Sequence, residues 1–330
     1  MSRTVIVGID GSHESLAAAE WAAREARLRT LPLRLVNVWE PVPEPMGRPP
    51  MLGAETGQDT RDPSGHGGTG PGKVLRDATD GIRLRHPGLD ATAEQLTGRA
   101  NEELVNAAQD AELLVLGSRG LSGIAGFLLG SVGLHVVAHT ERPVVLVRAG
   151  EQAADEQAAG ERAAGERAAD EQAPDPTGIP SAATPFRPVV LGLDTAHAEH
   201  TLIRFAFEAA ALRGTTLRIL HDWSPPPHSA YGLRERPEPA ADLDTDLGRA
   251  DATALAEILL PWRREFPAVE VAAQSRSGKA ADDLLAASRE ASLVVVGRRV
   301  RHSPVGAHIG PVTHAVLHHA VAPVAVVAHG

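Results

Sequence analysis

Short apolar runs alternate with longer amphipathic stretches along most of the chain. The run VIVGID at residues 5–10 is followed by SLAAAEWAAREARLR and then by a second apolar run, LRLVNVW, at residues 33–39. The short runs are apolar at nearly every position, which is typical of strands in a parallel sheet that is covered on both faces. The longer stretches have the length and periodicity of helices. The pattern therefore predicts an α/β protein.

The same pattern occurs twice in the chain. Four pairs of segments align: 5–10 with 189–194, 33–39 with 217–223, 111–117 with 291–297, and 142–148 with 322–328. The first two pairs lie 184 residues apart and the last two lie 180 apart, and offsets this constant predict two copies of one domain. We predict one domain at residues 1–148, the first half, and another at residues 188–330, the second half. A further strand is predicted near residues 90–96.

Residues 149–187 have a different composition from both halves. The stretch EQAADEQAAGERAAGERAADEQA holds seven acidic residues and two arginines, so its charge of −5 is half of the chain's net −10. Its period of five places the alanines on no single helix face, so it has no apolar stripe to bury. We predict a solvated linker, whose proline-rich end, PDPTGIPSAATPFRP, terminates any helix.

Composition excludes several classes of protein. The chain has no cysteine, which rules out disulfides and cysteine nucleophiles and fits a reducing compartment. Its net charge of −10 argues against binding to nucleic acid backbones, and its ten aromatic residues (5 Phe, 4 Trp, 1 Tyr) leave little material for stacking on bases. No apolar run reaches the roughly eighteen residues of a membrane span, and no signal-peptide core is present. We therefore expect a cytoplasmic protein that contacts neither nucleic acid nor membrane.

Glycines are concentrated at residues 116–133, which read LGSRGLSGIAGFLLGSVG and contain six glycines between a predicted strand and a predicted helix. Amides at a helix N-terminus, with the positive end of the helix dipole behind them, form an anion site. The glycines alone leave two interpretations open, a phosphate loop and a glycine-rich surface loop. Asp10, Val38 and Gly117 each end a predicted strand, so we expect them to converge on one crevice, where doubly wound sheets bind ligands.

Two apparent nucleotide motifs fall in the long loop predicted at residues 41–73. The glycines at 65, 67 and 70 fit G-x-G-x-x-G, and Gly67, Gly72 and Lys73 fit G-x-x-x-x-G-K. Both motifs require a strand running into the loop, and ETGQDTRDPS before them has no strand pattern. We attribute both matches to composition and interpret the segment as a loop over the crevice.

The first half carries Gly117-x2-Gly120-x9-Gly130-Ser131 directly after the strand LLVLG. Together with the VGIDGS opening, this motif resembles the universal stress protein family, whose nucleotide-binding members show G-2x-G-9x-G-(S/T). The resemblance covers both halves. It implies two doubly wound, five-stranded parallel-sheet domains in tandem, Rossmann-like and of the adenine nucleotide alpha hydrolase-like type. It also implies binding of ATP, with or without Mg²⁺, with regulatory consequences.

The resemblance also implies roles for individual residues. Asp10 would approach the ribose and adenine side, and the backbone of Val38 would meet the adenine edge. The motif glycines would let amides close on the phosphates, with the Ser131 hydroxyl as a further donor and Arg119 as a further charge. The predicted nucleotide-binding residues are Ile9, Asp10, Gly11, Ser12, Val38, Gly117, Ser118, Arg119, Gly120, Gly130, Ser131 and Val132.

The second half departs from the motif. Val300 replaces Gly120, Pro311 replaces Ser131, Thr195 replaces Gly11 and Asp222 replaces Val38, whereas Asp194, Gly297 and Gly310 are kept. Proline supplies neither an amide nor a hydroxyl, so we predict a broken phosphate site and one ATP per chain. Arg298, Arg299 and Arg301 have two interpretations, as side-chain ligands of phosphate or as a solvated basic loop.

Two other groups of residues have the composition of a chemical site. His314, His318 and His319 share a predicted helix, but His135 and His139 have the same spacing of four, which favours a shared packing or surface position over a metal site. Asp10, Ser12 and His13 are neighbours in one loop, where catalytic-triad geometry is rare. We predict no metal site and no catalytic residue.

Three functions fit the sequence. The preferred one is a nucleotide-linked regulator in the stress response, and the alternatives are a slow ATP hydrolase and a nucleotide-independent interaction scaffold. We favour a non-enzymatic role. The last strands, at 142–148 and 322–328, are expected to pair within the chain as an internal pseudo-dimer, since this removes two exposed sheet edges. A homodimer and a protein partner of unknown identity are left open.

Overall fold

The computed structural model describes residues 3–41, 71–118, 130–149, 186–223, 240–300 and 309–330. The strands are β1 (Thr4–Gly8), β2 (Leu33–Trp39), β3 (Ala91–Thr97), β4 (Ala111–Gly117), β5 (Val144–Val147), β6 (Val189–Gly192), β7 (Leu217–Trp223), β8 (Val271–Ser277), β9 (Leu293–Arg299) and β10 (Val324–His329). The helices are α1 (His13–Arg29), α2 (Pro71–Arg85), α3 (Ala100–Ala108), α4 (Ser131–His139), α5 (His200–Arg213), α6 (Ala240–Glu265), α7 (Ala280–Ser288) and α8 (Pro311–His319). A 3₁₀ turn at Thr195–His197 precedes α5.

The ten strands form one sheet in the order β3-β2-β1-β4-β5-β10-β9-β6-β7-β8. Within each half all pairs are parallel, and the first-half order 3-2-1-4-5 reverses direction between β1 and β4. Helices cover both faces, and each face has a buried apolar layer that runs through both halves. The predicted fold class, two doubly wound α/β units in tandem, is confirmed.

The two halves meet where β5 pairs with β10. Val324 lies opposite Leu146 and Val326 opposite Val144, in antiparallel register. The last strands therefore pair within the chain, as the sequence predicts. Because this pair is antiparallel, the strands of the first half end at one rim of the sheet and those of the second half end at the opposite rim.

A second contact between the halves joins α1 to α5. The buried carboxylate of Glu25 accepts hydrogen bonds from Arg29, in its own helix, and from Arg213, in the other half. Burial raises the pKa of Glu25, but the guanidinium groups of Arg213 and Arg29 hold it below its ordinary value overall. Arg29 lies over the Phe205 ring, and Arg213 lies over the Trp21 ring. Positions 21 and 29 align with 205 and 213, so the two cation–π contacts are related by the internal symmetry.

Two helices were not predicted from the sequence. Helix α2 begins at Pro71, so Gly72 and Lys73 belong to its first turn rather than to the long loop. Residues 42–70, with the remaining glycines of the two apparent motifs, lie outside the described residues. Helix α6 occupies Ala240–Glu265 at the equivalent place in the second half. Within the described ranges, none of the helices is both long and apolar enough to cross a membrane.

Candidate functional site

A cavity of about 260 Å³ opens at the carboxyl ends of β1, β2 and β4, beside α3 and the start of α4. This is the point where the strand order reverses, the usual ligand position in a doubly wound sheet. Eight predicted residues line it: Ile9, Asp10, Ser12, Val38, Gly117, Gly130, Ser131 and Val132. The expected convergence of Asp10, Val38 and Gly117 on one crevice is therefore observed.

The remaining predicted residues take other positions. Gly11 adopts φ +86°, which favours glycine, and a Cβ there would approach Val74 of α2 at 3.0 Å. Ser118 is buried and donates its hydroxyl to the Val147 carbonyl at 3.2 Å, so it closes the strand end instead of lining the cavity. Arg119 and Gly120 lie outside the described residues.

Sequence reasoning missed most of the apolar wall of the cavity. The lining residues that were not predicted are Gly8, Ser15, Val36, Ala100, Leu104, Leu116 and Gly133. The alternation along β2 places Val36 on the same face as Val38, and the four-residue spacing on α3 places Ala100 beside Leu104, so both pairs were detectable. Asp10 is the single ionisable side chain among the lining residues that the structure describes. The cavity is thus an apolar slot with one carboxylate at its rim.

The N-terminus of α4 forms the polar end of the cavity. The first intrahelical hydrogen bond runs from the Leu134 amide to the Gly130 carbonyl at 3.1 Å. The amides of Ser131, Val132 and Gly133 precede it, and all three residues line the cavity. No side chain caps this helix, and these amides have no acceptor among the described residues. They form a set of parallel donors at the positive end of a helix dipole.

The glycines around the cavity differ in what requires them. A Cβ on Gly117 would lie 2.5–2.7 Å from backbone atoms of Glu14 and Ser15, so this glycine allows α1 to pack against the end of β4. Gly130, the N-cap of α4, has φ −62°, and none of the described residues has an atom within 4 Å of a Cβ built there. No described residue therefore blocks the approach of a ligand to Gly130.

Asp10 and Ser12 form a helix cap and not a catalytic triad. The Ser12 hydroxyl donates directly to Asp10 Oδ1 and accepts from the Ser15 amide at 3.1 Å, which starts α1. The Ser12 amide also donates to Asp10 Oδ1, at 3.0 Å. Because carboxylate and hydroxyl contact each other directly, no histidine stands between them as a base.

The corresponding helix start of the second half carries different residues. Helix α8 has Pro311 as its first residue, which removes one amide. The Thr313 hydroxyl, at the position of Gly133, donates to the Gly297 carbonyl at 2.8 Å and so bridges the helix start to the end of β9. His197 aligns with the first residue of α1, yet α5 begins three residues later, at His200. The helix start of the second half therefore has one backbone donor fewer, and it carries a threonine side chain where the first half has Gly133.

Acidic residues replace part of the apolar wall in the second half. Asp222, at the position of Val38, hydrogen-bonds the Asp283 carboxyl on α7. Burial, followed by this hydrogen bond and by repulsion from the Asp283 charge, raises the pKa of Asp222 from 3.8 to about 6. A like-charge pair in this position opposes binding of an anionic ligand.

The arginines of the second-half motif have different environments. Arg298 is only 4% exposed, and its guanidinium donates to the Thr140 carbonyl at 2.6 Å. Neither interpretation from the sequence fits it, since it is neither solvated nor directed at a phosphate. Arg299 is exposed, and Arg301 lies outside the described residues.

The histidine pairs contact each other in both halves. The rings of His135 and His139 stack at 4.0 Å, and those of His314 and His318 lie 4.3 Å apart. In the part of the chain that the structure describes, no group of three or more histidine, aspartate or glutamate side chains is arranged to hold a metal ion. At the offset of 180 that aligns Gly133 with Thr313, His135 falls opposite Ala315 and His139 opposite His319, so the two pairs share their spacing but not their aligned positions.

Comparison with known proteins gives the relationship. The sequence profile of the universal stress protein family matches residues 1–148 and 185–328. A universal stress protein of Mycobacterium tuberculosis H37Rv is 30% identical over 334 residues, covering 98% of this chain and 94% of that protein. One from Mycolicibacterium smegmatis is 29% identical over 325 residues, covering 98% and 96%. The crystal structure of a universal stress protein from Archaeoglobus fulgidus superposes with a TM-score of 0.56 at 16% identity, covering both chains completely. The chain therefore belongs to the universal stress protein family, with the family's domain repeated in tandem.

Proposed function

We propose that the first half binds ATP in the crevice at the start of α4, one molecule per chain, and that this occupancy makes the protein a nucleotide-linked regulator in the stress response. Three observations support the proposal. The cavity is an apolar slot, helix N-terminal amides form its polar end, and the chain belongs to the universal stress protein family, whose nucleotide-binding members it resembles in the glycine motif. Pro311 and the Thr313 side chain at the start of α8, together with the acidic pair Asp222 and Asp283, support a stoichiometry of one.

The contacts follow from the lining of the cavity. Val36, Val38, Leu104 and Leu116 offer apolar walls on which a flat adenine ring would be buried. Asp10, at the rim, would accept a hydrogen bond from a ribose hydroxyl. It is also the single lining carboxylate of the described residues that could join the phosphates in holding Mg²⁺.

The three amides of Ser131, Val132 and Gly133 carry the proposal. Their residues line the cavity, the amides have no protein acceptor among the described residues, and backbone donors at a helix start suit phosphate. The exposed Ser131 hydroxyl adds a donor beside them. Hydrogen bonds to a charged partner contribute about 1.5–3 kcal/mol each.

The test is to copy the second half into the first at one position. Ser131→Pro removes an amide and a hydroxyl. Pro311 shows that the same helix start accepts proline, because the glycine before it has nearly the same dihedral angles in both halves. These are φ −62° and ψ 153° in the first half and φ −62° and ψ 156° in the second. We expect ATP affinity, measured by isothermal titration calorimetry on nucleotide-free protein, to fall about 10- to 100-fold with an unchanged melting temperature.

Pro311→Ser is the matched control, because it alters the other half at the equivalent position. It should leave the affinity and the stoichiometry of one unchanged, since the Thr313 side chain and the acidic pair of Asp222 and Asp283 remain in that half. Wild-type protein that neither retains nor binds ATP would overturn the proposal and favour the interaction scaffold. A slow release of ADP from bound ATP would instead identify a hydrolase.

A further inference from the structure

Each half contributes one arginine whose side chain donates a hydrogen bond to the other half. Arg298, near the end of β9, donates to the carbonyl of Thr140, the C-cap of α4, and Arg148, just after β5, donates to the Leu317 carbonyl in the last turn of α8 at 3.2 Å. Each half thus holds the C-terminal end of the other half's last helix. The helix that Arg298 holds is the one whose N-terminus lines the candidate nucleotide site.

Arg298 is costly to keep at this position. It is 4% exposed, and Thr140 is equally buried. Burial lowers the pKa of Arg298, which the nearby Glu141 carboxylate partly offsets. Position 298 aligns with Ser118, whose short side chain bonds within its own half. The second half has therefore replaced a small local contact with a buried cation that reaches into the first half.

The positive charge of Arg298 and its position at the C-terminal end of α4 both allow it to act on that helix. A cation at a helix C-terminus interacts favourably with the negative end of the dipole. Helix α4 has nine residues, so it spans about 14 Å, and it runs from the rim where the first-half strands end to the rim where the second-half strands end. The hydrogen-bonded backbone of α4 joins Thr140, its C-cap, to the amides of the first turn, so a restraint at one end of the helix bears on the other end.

We propose that Arg298 is a positioning residue through which the second half sets the nucleotide affinity of the first. The end of β9, where the second half has lost its own motif, holds α4 with its N-terminal amides aligned on the phosphates. By reciprocity, a bound nucleotide stabilises the end of β9, and anything that displaces β9 weakens nucleotide binding. The affinity readout of this inference rests on the proposed function, whereas the contact itself does not.

The experiment compares Arg298→Met, Arg298→Lys and Arg148→Met in the full chain. Methionine keeps the apolar stem and removes the guanidinium, and lysine keeps the cation and a donor. ATP affinity is measured by calorimetry, and amide hydrogen exchange at residues 131–136 is measured without ligand. We expect Arg298→Met to weaken ATP binding about three- to tenfold and to speed exchange in α4, with most of both effects recovered by lysine. Arg148→Met, which releases the other helix, should leave affinity within about twofold.

Each result decides the inference. Wild-type affinity with unchanged exchange in Arg298→Met would overturn it, and so would an equal loss of affinity in Arg148→Met, because the effect would then be general destabilisation. If the wild-type protein binds no ATP, the proposed function fails, and exchange in α4 alone decides: faster exchange in Arg298→Met supports the restraint, and unchanged exchange overturns it.

Discussion

The last helix of each half starts after a glycine with nearly the same dihedral angles, yet the residues that follow differ. The first half continues with Ser131 and Gly133, which leave the amides open to the cavity. The second half continues with Pro311, which has no amide, and with Thr313, which bonds the end of β9. The same fold thus tolerates both a helix start made of small residues and one that carries a proline and a threonine side chain.

The comparison separates glycines that the fold needs from those that a ligand would need. Gly117 and Gly297 are kept in both halves, and a Cβ on either would collide with a neighbour, the backbone of Glu14 in one case and the His329 side chain in the other. Backbone packing therefore explains the glycine at position 117, whereas a Cβ at position 297 would require the His329 side chain to move. Other differences between the halves lie away from the crevice, among them Ser118 against Arg298 and Glu25 against Ala209.

The largest effect expected from breaking the symmetry lies at the α1–α5 contact. Glu25 pairs with two arginines, while the symmetric position in the second half is Ala209. Glu25→Ala removes the carboxylate that Arg29 and Arg213 share. Arg29 keeps Glu112 at 3.8 Å, but the buried guanidinium of Arg213 loses its ion pair, so the free energy of unfolding should fall by about 3–5 kcal/mol. Adding Ala209→Glu returns a carboxylate from the other side and should recover most of the loss. Guanidinium chloride titrations measure both.

Ala209→Glu alone serves as the control for that pair, because it adds a second carboxylate without removing the first. If the double variant Glu25→Ala, Ala209→Glu is no more stable than Glu25→Ala, the prediction fails. The symmetry indicated by the aligned positions 21, 29, 205 and 213 would then not extend to the carboxylate.

An intermediate effect is expected at the two N-cap glycines. In the described part of the chain no atom lies within 4 Å of a Cβ at either position, so Gly130→Ala and Gly310→Ala should change stability by less than about 1 kcal/mol. Gly130→Ala narrows the approach of phosphate and should weaken ATP binding about fivefold, whereas Gly310→Ala should not change it. Calorimetric titrations of the two variants show why glycine stands at the N-cap of α4. If glycine is needed for the ligand, only Gly130→Ala weakens ATP binding, whereas a general N-cap preference predicts equal affinities for the two variants.

The smallest effect concerns the acidic pair of the second half. Because the folded-state pKa of Asp222 is raised from 3.8 to about 6, its contribution to stability is fully present below pH 4 and is lost as the pH rises through 6. Asp222→Asn should therefore stabilise the protein at pH 7 by less than about 1 kcal/mol, since solvent screens the pair, and should have no effect at pH 4. Denaturation at the two pH values tests this sign; equal effects at both would show that the two carboxyls do not share a proton.

Much of the fold could be predicted because the repeat supplies each strand twice. The weak strand expected near residues 90–96 is β3, Ala91–Thr97, an edge strand with many exposed side chains, which explains its poor apolar pattern. Helix α2 was missed because glycine-rich sequence precedes it and Gly81 lies inside it. Its buried face, Leu75, Ala78 and Ile82, has helical spacing, and Pro71 is a good first residue, so both signals were present.

The polar end of the site was more predictable than its walls. The glycine motif identifies the helix start by spacing alone, whereas Leu104 and Leu116 come from separate elements whose meeting depends on tertiary packing. The role of Arg298 was out of reach for the same reason. Its partner, Thr140, lies 158 residues away, and nothing in either local sequence indicates the contact.

The antiparallel pairing of β5 and β10 has a thermodynamic consequence for the whole chain. Two domains joined only by a linker usually melt in separate steps, and a single free energy then describes neither. Here the apolar layers on both faces of the sheet are continuous through the two halves, and the junction lies at the centre of ten strands. Losing either half exposes the buried strand of the other. The described halves therefore form one cooperative unit, and heating should produce a single calorimetric peak whose van't Hoff and calorimetric enthalpies agree.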